Sequence, residues 1–351
     1  MIANYNDAIK YLKNKQSLGI KPGLERIIKS LESIDNPQDK YKTIHVAGTN
    51  GKGTVAATVA KALQENGYKV GLFTSPWVVD YREQIQINGE FISKDELSEI
   101  ANTLEKNNTA LTEFECLTVI AYYYFAKNKI DYAVIECGMG GKGDSTNVEK
   151  ENLAVVTSIS LDHTDFLGCT IQEIAEEKSG ILRKNCTCVL YNDELKSIFK
   201  DKCAKLVTGG QKDNLSLVNA VLNELGVNAA NSLVCLPARQ ERKGKVLIDG
   251  GHNLAAAKAL APLVNGDVAL IGMMRDKDVD GYLSVIASRC SKVIATNVNN
   301  PRAISAEELA AIAKLYCSDV EICDNPADAL NLKPTLICGS FYLIREIYNL
   351  I

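Results

Sequence analysis

"HVAGTNGKGTVAATVAKAL", residues His45 to Leu63, begins as the end of a β-branched strand, passes through "TNGKG" and continues as a helix with an apolar face. A strand, a glycine turn and a helix in this order leave backbone N–H groups at a helix N-terminus. That is an anion site by geometry and by dipole. Gly48, Gly51 and Gly53 let the backbone close around a phosphate, and Lys52 adds a point charge. The spacing is not that of the common G-x-x-x-x-G-K-[ST] loop: Val46 stands five places before Gly51, and Gly53 follows the lysine, so the hydroxyl arrives one place late at Thr54. The bland alternative, a tight turn with an exposed lysine, fits three glycines and a lysine in six residues poorly. His45 lies inside the strand and is expected to be a core or supporting residue.

Outward from this stretch, short β-rich runs alternate with helix-length segments. "KVGLFTS", "IDYAVIECG", "NLAVVTSIS", "CTCVLY", "KVLIDGG", "DVALIGMM", "SKVIATNV" and "PTLICGS" follow in order, the pattern of βαβ units and parallel sheets. Ser93 with Glu96, Thr170 with Glu173 and Ser305 with Glu308 read as capping boxes opening helices. A polar stretch at 231–245, "NSLVCLPARQERKGK", separates two strand–helix series. The expected organisation is an α/β chain with an ATP-binding domain over 1–235 and a smaller α/β domain over 236–351.

At 351 residues, 46% hydrophobic and 23% charged, the composition is that of a soluble globular chain. The net charge of −4 gives no basic excess for nucleic acid or an anionic membrane. The first residues, "MIANYNDAIKYLKNKQ", lack a signal-like apolar core, and no apolar run is long enough to span a bilayer. Eleven cysteines are scattered through apolar runs without zinc-like pairs. They are expected to be reduced and mostly buried, in a cytoplasmic protein.

Because Gly53 supplies no hydroxyl after the lysine, a magnesium ion would find its ligands elsewhere. Ser75, Glu136 and the pair Asp162–His163 all stand just beyond apolar strands, where α/β sheets bind ligands. Of three histidines, His163 and His252 each lie beside an acid at or near a strand end, in "LDH" and "DGGH".

"HVAGTNGKGT", "TSP", "TEFECLTVIAYYYFA", "VIECGMGGKGDSTNV", "SLDHTDFLGCTIQEIAEEKSGI" and "LIDGGHN" occur in order, with "GLERI" before them and "DKD", "PRA" and "CGSFYLI" after. Together they resemble the folylpolyglutamate synthase/dihydrofolate synthase family, the folate branch of the Mur ligases, over nearly the whole chain. The resemblance implies the Mur-ligase fold: a P-loop ATPase-like domain and a Rossmann-like C-terminal domain. It implies an ATP-dependent ligase that joins glutamate to a folate or to dihydropteroate through an acyl phosphate. It also implies ATP and two Mg²⁺ ions, small-molecule substrates, and a monomer.

By the same resemblance, Asn50, Gly51, Lys52, Gly53 and Thr54 hold the ATP phosphates, while Asn214, Arg239, Asp249 and His252 contact the nucleotide. Ser75, Glu136 and His163 hold the metal; Lys52, His163 and Lys178 are catalytic; Phe114, Glu115 and Asp144 face the pterin. Lys178 matches a lysine that family members often carry as a carbamate, whereas its residue pattern alone describes an ordinary surface lysine. Gly210 and Ala238 replace the histidine and glycine usual before Asn214 and Arg239. Trp77, Gln84 and Lys142 replace a histidine and two arginines in segments the family uses near the acceptor. These departures leave open a second reading, a Mur-type ligase with a non-folate acceptor. A nucleotide-binding regulator without catalysis would not need Lys52, Glu136, His163, Lys178 and Asp249 together.

Overall fold

The computed structural model describes all residues except 1, 20–22, 107–109, 151–152 and 211–212. It divides into two compact units. The first comprises Met1–Ser75, Tyr81–Ile159 and Thr170–Val234; the second takes Pro76–Asp80, Ser160–Cys169 and Cys235–Ile351.

Among the described residues, eight strands form the sheet of the first unit. They are β1 (Lys42–Ala47), β2 (Val70–Phe73), β3 (Ile85–Ile87), β4 (Glu90–Phe91), β5 (Tyr132–Glu136), β6 (Leu153–Val156), β7 (Thr187–Leu190) and β8 (Lys205–Thr208). Their order is β4-β3-β2-β5-β1-β6-β7-β8, parallel from β2 to β8, with β3 and β4 added antiparallel at one edge. β5 is buried along its length, and β1 from its second residue, as strands covered on both faces must be. The chain leaves β1 towards β2 on one side and leaves β5 towards β6 on the other. Strand order therefore reverses over the β5–β1 pair, which places the ligand crevice of an open α/β sheet at the C-terminal ends of those strands.

The second unit holds a six-stranded sheet: β9 (Glu241–Lys243), β10 (Val246–Asp249), β11 (Asp267–Ile271), β12 (Cys290–Ala295), β13 (Val320–Ile322) and β14 (Leu336–Cys338), in the order β13-β12-β11-β14-β10-β9. All pairs are parallel except β9–β10. The period of two along each strand sorts its side chains into two cores. Leu247, Ala269, Val293 and Leu336 pack towards helices Leu254–Leu260, Val279–Ile286 and Ala306–Ala313. Ile248, Leu270, Ile294 and Ile337 pack on the other face with helix Phe341–Ile347. No described helix is long and apolar enough to cross a membrane. All eleven cysteines are free, six of them buried.

Candidate active site

In the first unit the turn after β1 is tied to the end of β6: Thr157 N donates to Ala47 O (2.8 Å) and Thr49 N to Ser158 O (2.7 Å). Gly48 has a φ of 145°, and a Cβ there would lie 1.7 Å from Thr157 Oγ1. Gly51, at φ 83°, is the N-cap of helix Lys52–Glu65, and no side chain caps that helix. A Cβ on Gly51 would meet Asn214 Nδ2 at 2.7 Å, so the first residue of helix Asn214–Leu225 lies directly against the turn. Lys52 Nζ folds back to Thr49 O at 3.3 Å. The result is a helix start without a side-chain cap, lined by backbone, the Lys52 ammonium and the Asn214 amide, with no room for a Cβ at Gly48 or Gly51; such a start suits an oligophosphate. Gln211 of the Asn214 motif lies outside the described residues.

Two polar groups stand at neighbouring strand ends. Glu136 closes β5 and is buried, and its Oε2 accepts from Ser75 N at 3.0 Å. Ser75, which carries a hydroxyl, thus stands beside a carboxylate, and both residue types are hard oxygen ligands of the kind Mg²⁺ prefers. Lys178 corrects the surface reading of its residue pattern: it is 3% exposed, and Nζ donates to Gly48 O at 2.8 Å. The cause is close packing of the turn after β5 on the end of helix Ile171–Ser179. A Cβ on Gly141 would lie 2.7 Å from Lys178 O, and one on Gly180 2.4 Å from Lys142 Cβ. Glycines at both contacts draw the helix end inward and bury its last-turn lysine.

On the other side of this turn, Phe114 stacks on Phe73 with ring centroids 5.6 Å apart, and a Cβ on Gly138 would meet the Phe114 ring at 2.5 Å. Glu115 is committed within the fold. It completes a capping box with Thr112 and accepts from Arg26 Nη2 at 2.9 Å. Asp144 is buried; its Oδ2 accepts from Met139 N at 2.7 Å, and its Oδ1 from Thr146 N at 3.0 Å and Thr146 Oγ1 at 2.5 Å. Gln84 is buried and donates to Tyr81 O (2.9 Å).

The second unit gathers Asp162, His163, His252, Asn253 and Lys277. Asp162 accepts from Lys277 Nζ (2.7 Å) and Asn253 Nδ2 (2.9 Å), with His252 Nε2 at 3.7 Å and His163 Nε2 at 3.9 Å. Burial opposes its charge, but His252, His163 and Lys277 outweigh burial and hold the carboxyl well below the usual range. Ligand atoms of Asp162, His163 and His252 lie within 4.8 Å of one another. With an ammonium and an amide already on its two oxygens, Asp162 is better described as the centre of an ion-pair cluster than as a cation ligand. His163 has a left-handed φ of 51°, a strain that a β-carbon-bearing residue adopts rarely.

Asp249, buried at the end of β10, accepts from Gly251 N (2.7 Å) and Gln240 N (3.0 Å). Burial raises its carboxyl pKa, against those two N–H groups and the Arg239 charge. The Arg239 guanidinium lies 4.0 Å over the Phe341 ring, and the Arg345 guanidinium 3.8 Å over Trp77. Sequence reasoning did not single out Arg26, Asn253 or Lys277. "GLERI", the N-cap place after "DGGH" and "DKD" are the signals that carry them.

The Mur ligase middle domain family matches residues 46–259, and the Mur ligase, glutamate ligase domain family matches residues 237–338. The chain is 31% identical to the dihydrofolate synthase/folylpolyglutamate synthase of Escherichia coli, over 98% of this chain and 94% of that one. Its fold superposes on E. coli FolC in complex with DHPP and ADP with a TM-score of 0.89 at 27% identity, covering 99% of this chain and 97% of the other. It also superposes on the Yersinia pestis bifunctional folylpolyglutamate synthase/dihydrofolate synthase complexed with AMPPNP and Mn ion, with a TM-score of 0.86 at 26% identity, covering 99% and 98%. Two Mur ligase domains in sequence, a full-length relative and full-length structural matches agree with the glycine turn and its strand-end carboxylate: the chain belongs to the dihydrofolate synthase/folylpolyglutamate synthase family of Mur ligases, ATP-dependent enzymes.

Proposed function

We propose that the chain joins L-glutamate to dihydropteroate or to a reduced folate, with cleavage of ATP to ADP and phosphate. The observation that carries this reading is the uncapped start of helix Lys52–Glu65, with Gly51 left-handed and Lys52 beside it. The acceptor carboxylate oxygen bonds to the γ-phosphorus as the bond to the β-phosphate oxygen breaks. The amine of glutamate then attacks the acyl carbon, loses a proton, and phosphate leaves with the former carboxylate oxygen. Both steps concentrate negative charge, so their barrier falls with fixed donors aimed at the phosphates. The N–H groups from Gly51 to Thr54 and the Lys52 ammonium fill that role, with Asn50 at the entrance of the turn. Asn214, Arg239, Asp249 and His252 are assigned to the nucleotide.

Ser75, Glu136 and His163 are the residues assigned to Mg²⁺, two ions in all, and Lys178 as a carbamate would support one of them. Bound there, the metal would supply a Lewis acid for the phosphoryl oxygens. Phe114 offers a ring for stacking a pterin, and Asp144 a carboxylate for its polar edge. Glu115, committed to Arg26 and its helix cap, acts by fixing that segment.

The test is ADP release measured with glutamate plus dihydropteroate, with glutamate plus tetrahydrofolate, and with each component left out. Release that requires glutamate and one of these acceptors is expected. Release with glutamate but only with a carboxylate lacking a pterin would replace the folate assignment. Release without any acceptor would overturn the ligase reading. Glu136→Gln and His163→Ala should each raise the Mg²⁺ requirement, with activity partly restored by excess Mg²⁺ or by Mn²⁺. An unchanged Mg²⁺ dependence in both would assign these residues to structure.

A further inference from the structure

Behind Asp144 lies a chain of buried polar groups that the ligase reading does not use. His45, in the middle of β1, is fully buried, as are Thr146 and, nearly so, Glu149. Thr146 Oγ1 lies 2.5 Å from Asp144 Oδ1 and 2.8 Å from His45 Nε2. His45 Nδ1 lies 3.5 Å from Glu149 Oε2, and Tyr122 Oη 2.9 Å from Glu149 Oε1. Among the described residues neither His45 Nδ1 nor Glu149 Oε2 has a hydrogen-bond partner; the two face each other across 3.5 Å.

Proton counting fixes the direction of this chain. Thr146 has one hydroxyl hydrogen, and the short contact to the Asp144 carboxylate, which has none to give, takes it. The 2.8 Å contact is then His45 Nε2–H donating to Thr146 Oγ1, and the Cys137 sulfur, 3.1 Å from Nε2, stands as a second acceptor beside the same N–H. A neutral imidazole with its proton on Nε2 has a bare lone pair on Nδ1, facing Glu149 Oε2. Two bare acceptors buried against each other are costly, and a proton on Glu149 Oε2 turned towards Nδ1 removes the lone-pair repulsion across their 3.5 Å contact. Tyr122 donates to the remaining oxygen, Oε1. Burial acts in the same sense, pushing His45 down to about 4 and Glu149 up to about 7.

We propose that Glu149, His45 and Thr146 are positioning residues that act through one another on Asp144. A Glu149 carboxylic acid holds the Nε2–H tautomer of His45, the ring holds the Thr146 hydroxyl, and the hydroxyl holds Asp144. Asp144 in turn closes the turn after β5 by accepting from Met139 N, so the relay sets the turn that carries Gly138 against Phe114. Ionising Glu149 reverses the arrangement. The ring proton moves to Nδ1 to meet the carboxylate, Nε2 becomes an acceptor, and the Thr146 hydrogen turns from Asp144 to His45. The other groups facing the relay are Tyr41 and Tyr122, the Cys137 thiol 3.1 Å from Nε2, Lys178, and Arg183, whose Nε donates to Glu149 O at 3.0 Å. The effect on acceptor binding rests on the ligase reading; the wiring itself does not.

Nitrogen-15 NMR of histidine-labelled full-length protein reads the wiring directly, since there are only three histidines and a His45→Gln spectrum assigns the third. His45 should show the Nε2–H tautomer near pH 6 and shift towards Nδ1–H as pH rises through about 7. Glu149→Gln, whose amide also donates to Nδ1, should keep Nε2–H at every pH, and Glu149→Leu should lose it. An imidazolium or an Nδ1–H ring at pH 6 overturns the proposal. In the ligation assay, Thr146→Val and Glu149→Leu should raise the acceptor KM about tenfold with the ATP KM unchanged. Thr146→Ser should restore it, and the alkaline rise in acceptor KM should vanish in Glu149→Gln. Equal changes in both KM values, or no rescue by serine, would reduce these residues to general structural support. If the wild type ligates neither pterin acceptor, the ligase reading falls, and the tautomer measurement alone upholds or rejects the relay.

Discussion

Each unit turns a strand into a helix through glycines, and the two corners end in opposite chemistry. After β1, the turn leads into the fourteen-residue helix Lys52–Glu65 with a left-handed glycine at its N-cap and no capping side chain. After β10, Asp249 accepts from Gly251 N, and Asn253 caps helix Leu254–Leu260 by accepting from Ala256 N at 2.9 Å. The glycines differ too. Gly48 and Gly51 have positive φ, 145° and 83°, besides close neighbours, whereas Gly250 lies outside that region and is held to glycine by the Phe341 ring, 2.4 Å from where its Cβ would lie. A glycine-rich strand-to-helix corner is therefore an anion site only where the protein leaves its first-turn donors to a ligand. The corner after β10 satisfies donors from within and presents a carboxylate.

Substitutions that treat the two corners alike should have unlike effects. The largest is expected for Lys52→Ala: roughly a hundredfold or greater loss of kcat, the scale of removing one preorganised charge contact, with thermal stability unchanged. Near-wild-type turnover would remove the first corner from the chemistry. Asp249→Ala should act mainly on binding, raising the ATP KM about tenfold while kcat falls little, because nucleotide contacts away from the transferred phosphate differ little between ground and transition states. An unchanged ATP KM with lowered stability would leave Asp249 only its internal bonds to Gly251 and Gln240. The smallest effect belongs to Asn253→Ala, which removes a helix cap and one of the bonds to Asp162, whose Lys277 partner remains, and should cost about 1–2 kcal/mol in urea unfolding with a smaller loss of kcat than Lys52→Ala. A kcat loss as large as that of Lys52→Ala would give the second corner an active part in the reaction.

The first corner is legible in the sequence because its function needs residue types that stand out: glycines, a lysine and a β-branched strand. The buried parallel strands are equally plain, since strands buried on both faces are continuous apolar runs, whereas β8, a parallel edge strand with no fully buried residue, gives no such run. The antiparallel edge β3–β4 was not identified, although "INGE" places Asn88–Gly89 at the hairpin, the turn signal for such a pair. The Thr112–Glu115 capping box carries the same kind of local signal, T-x-x-E. β9 and β13 have only three residues each and are only partly buried, so hydrophobic pattern alone gives little sign of them.

Lys178 shows a different kind of limit. Its burial depends on glycines 37 and 2 residues away in the chain, at Gly141 and Gly180, and no local pattern reports such packing. The Asp162–Lys277 bond joins residues 115 apart for the same reason. His45 was recognisable as a buried strand residue, whereas its tautomer emerges only when Thr146, Asp144 and Glu149 are placed around it.

The central claim is that the acceptor carboxylate is activated by phosphoryl transfer at the corner after β1. The direct measurement uses an acceptor carrying ¹⁸O at both oxygens of its carboxylate, with turnover in unlabelled water and mass analysis of the released phosphate. The account predicts one ¹⁸O in inorganic phosphate for each glutamate joined, with labelled phosphate lost in proportion to turnover in Lys52→Ala. Ligation that releases unlabelled phosphate would contradict it.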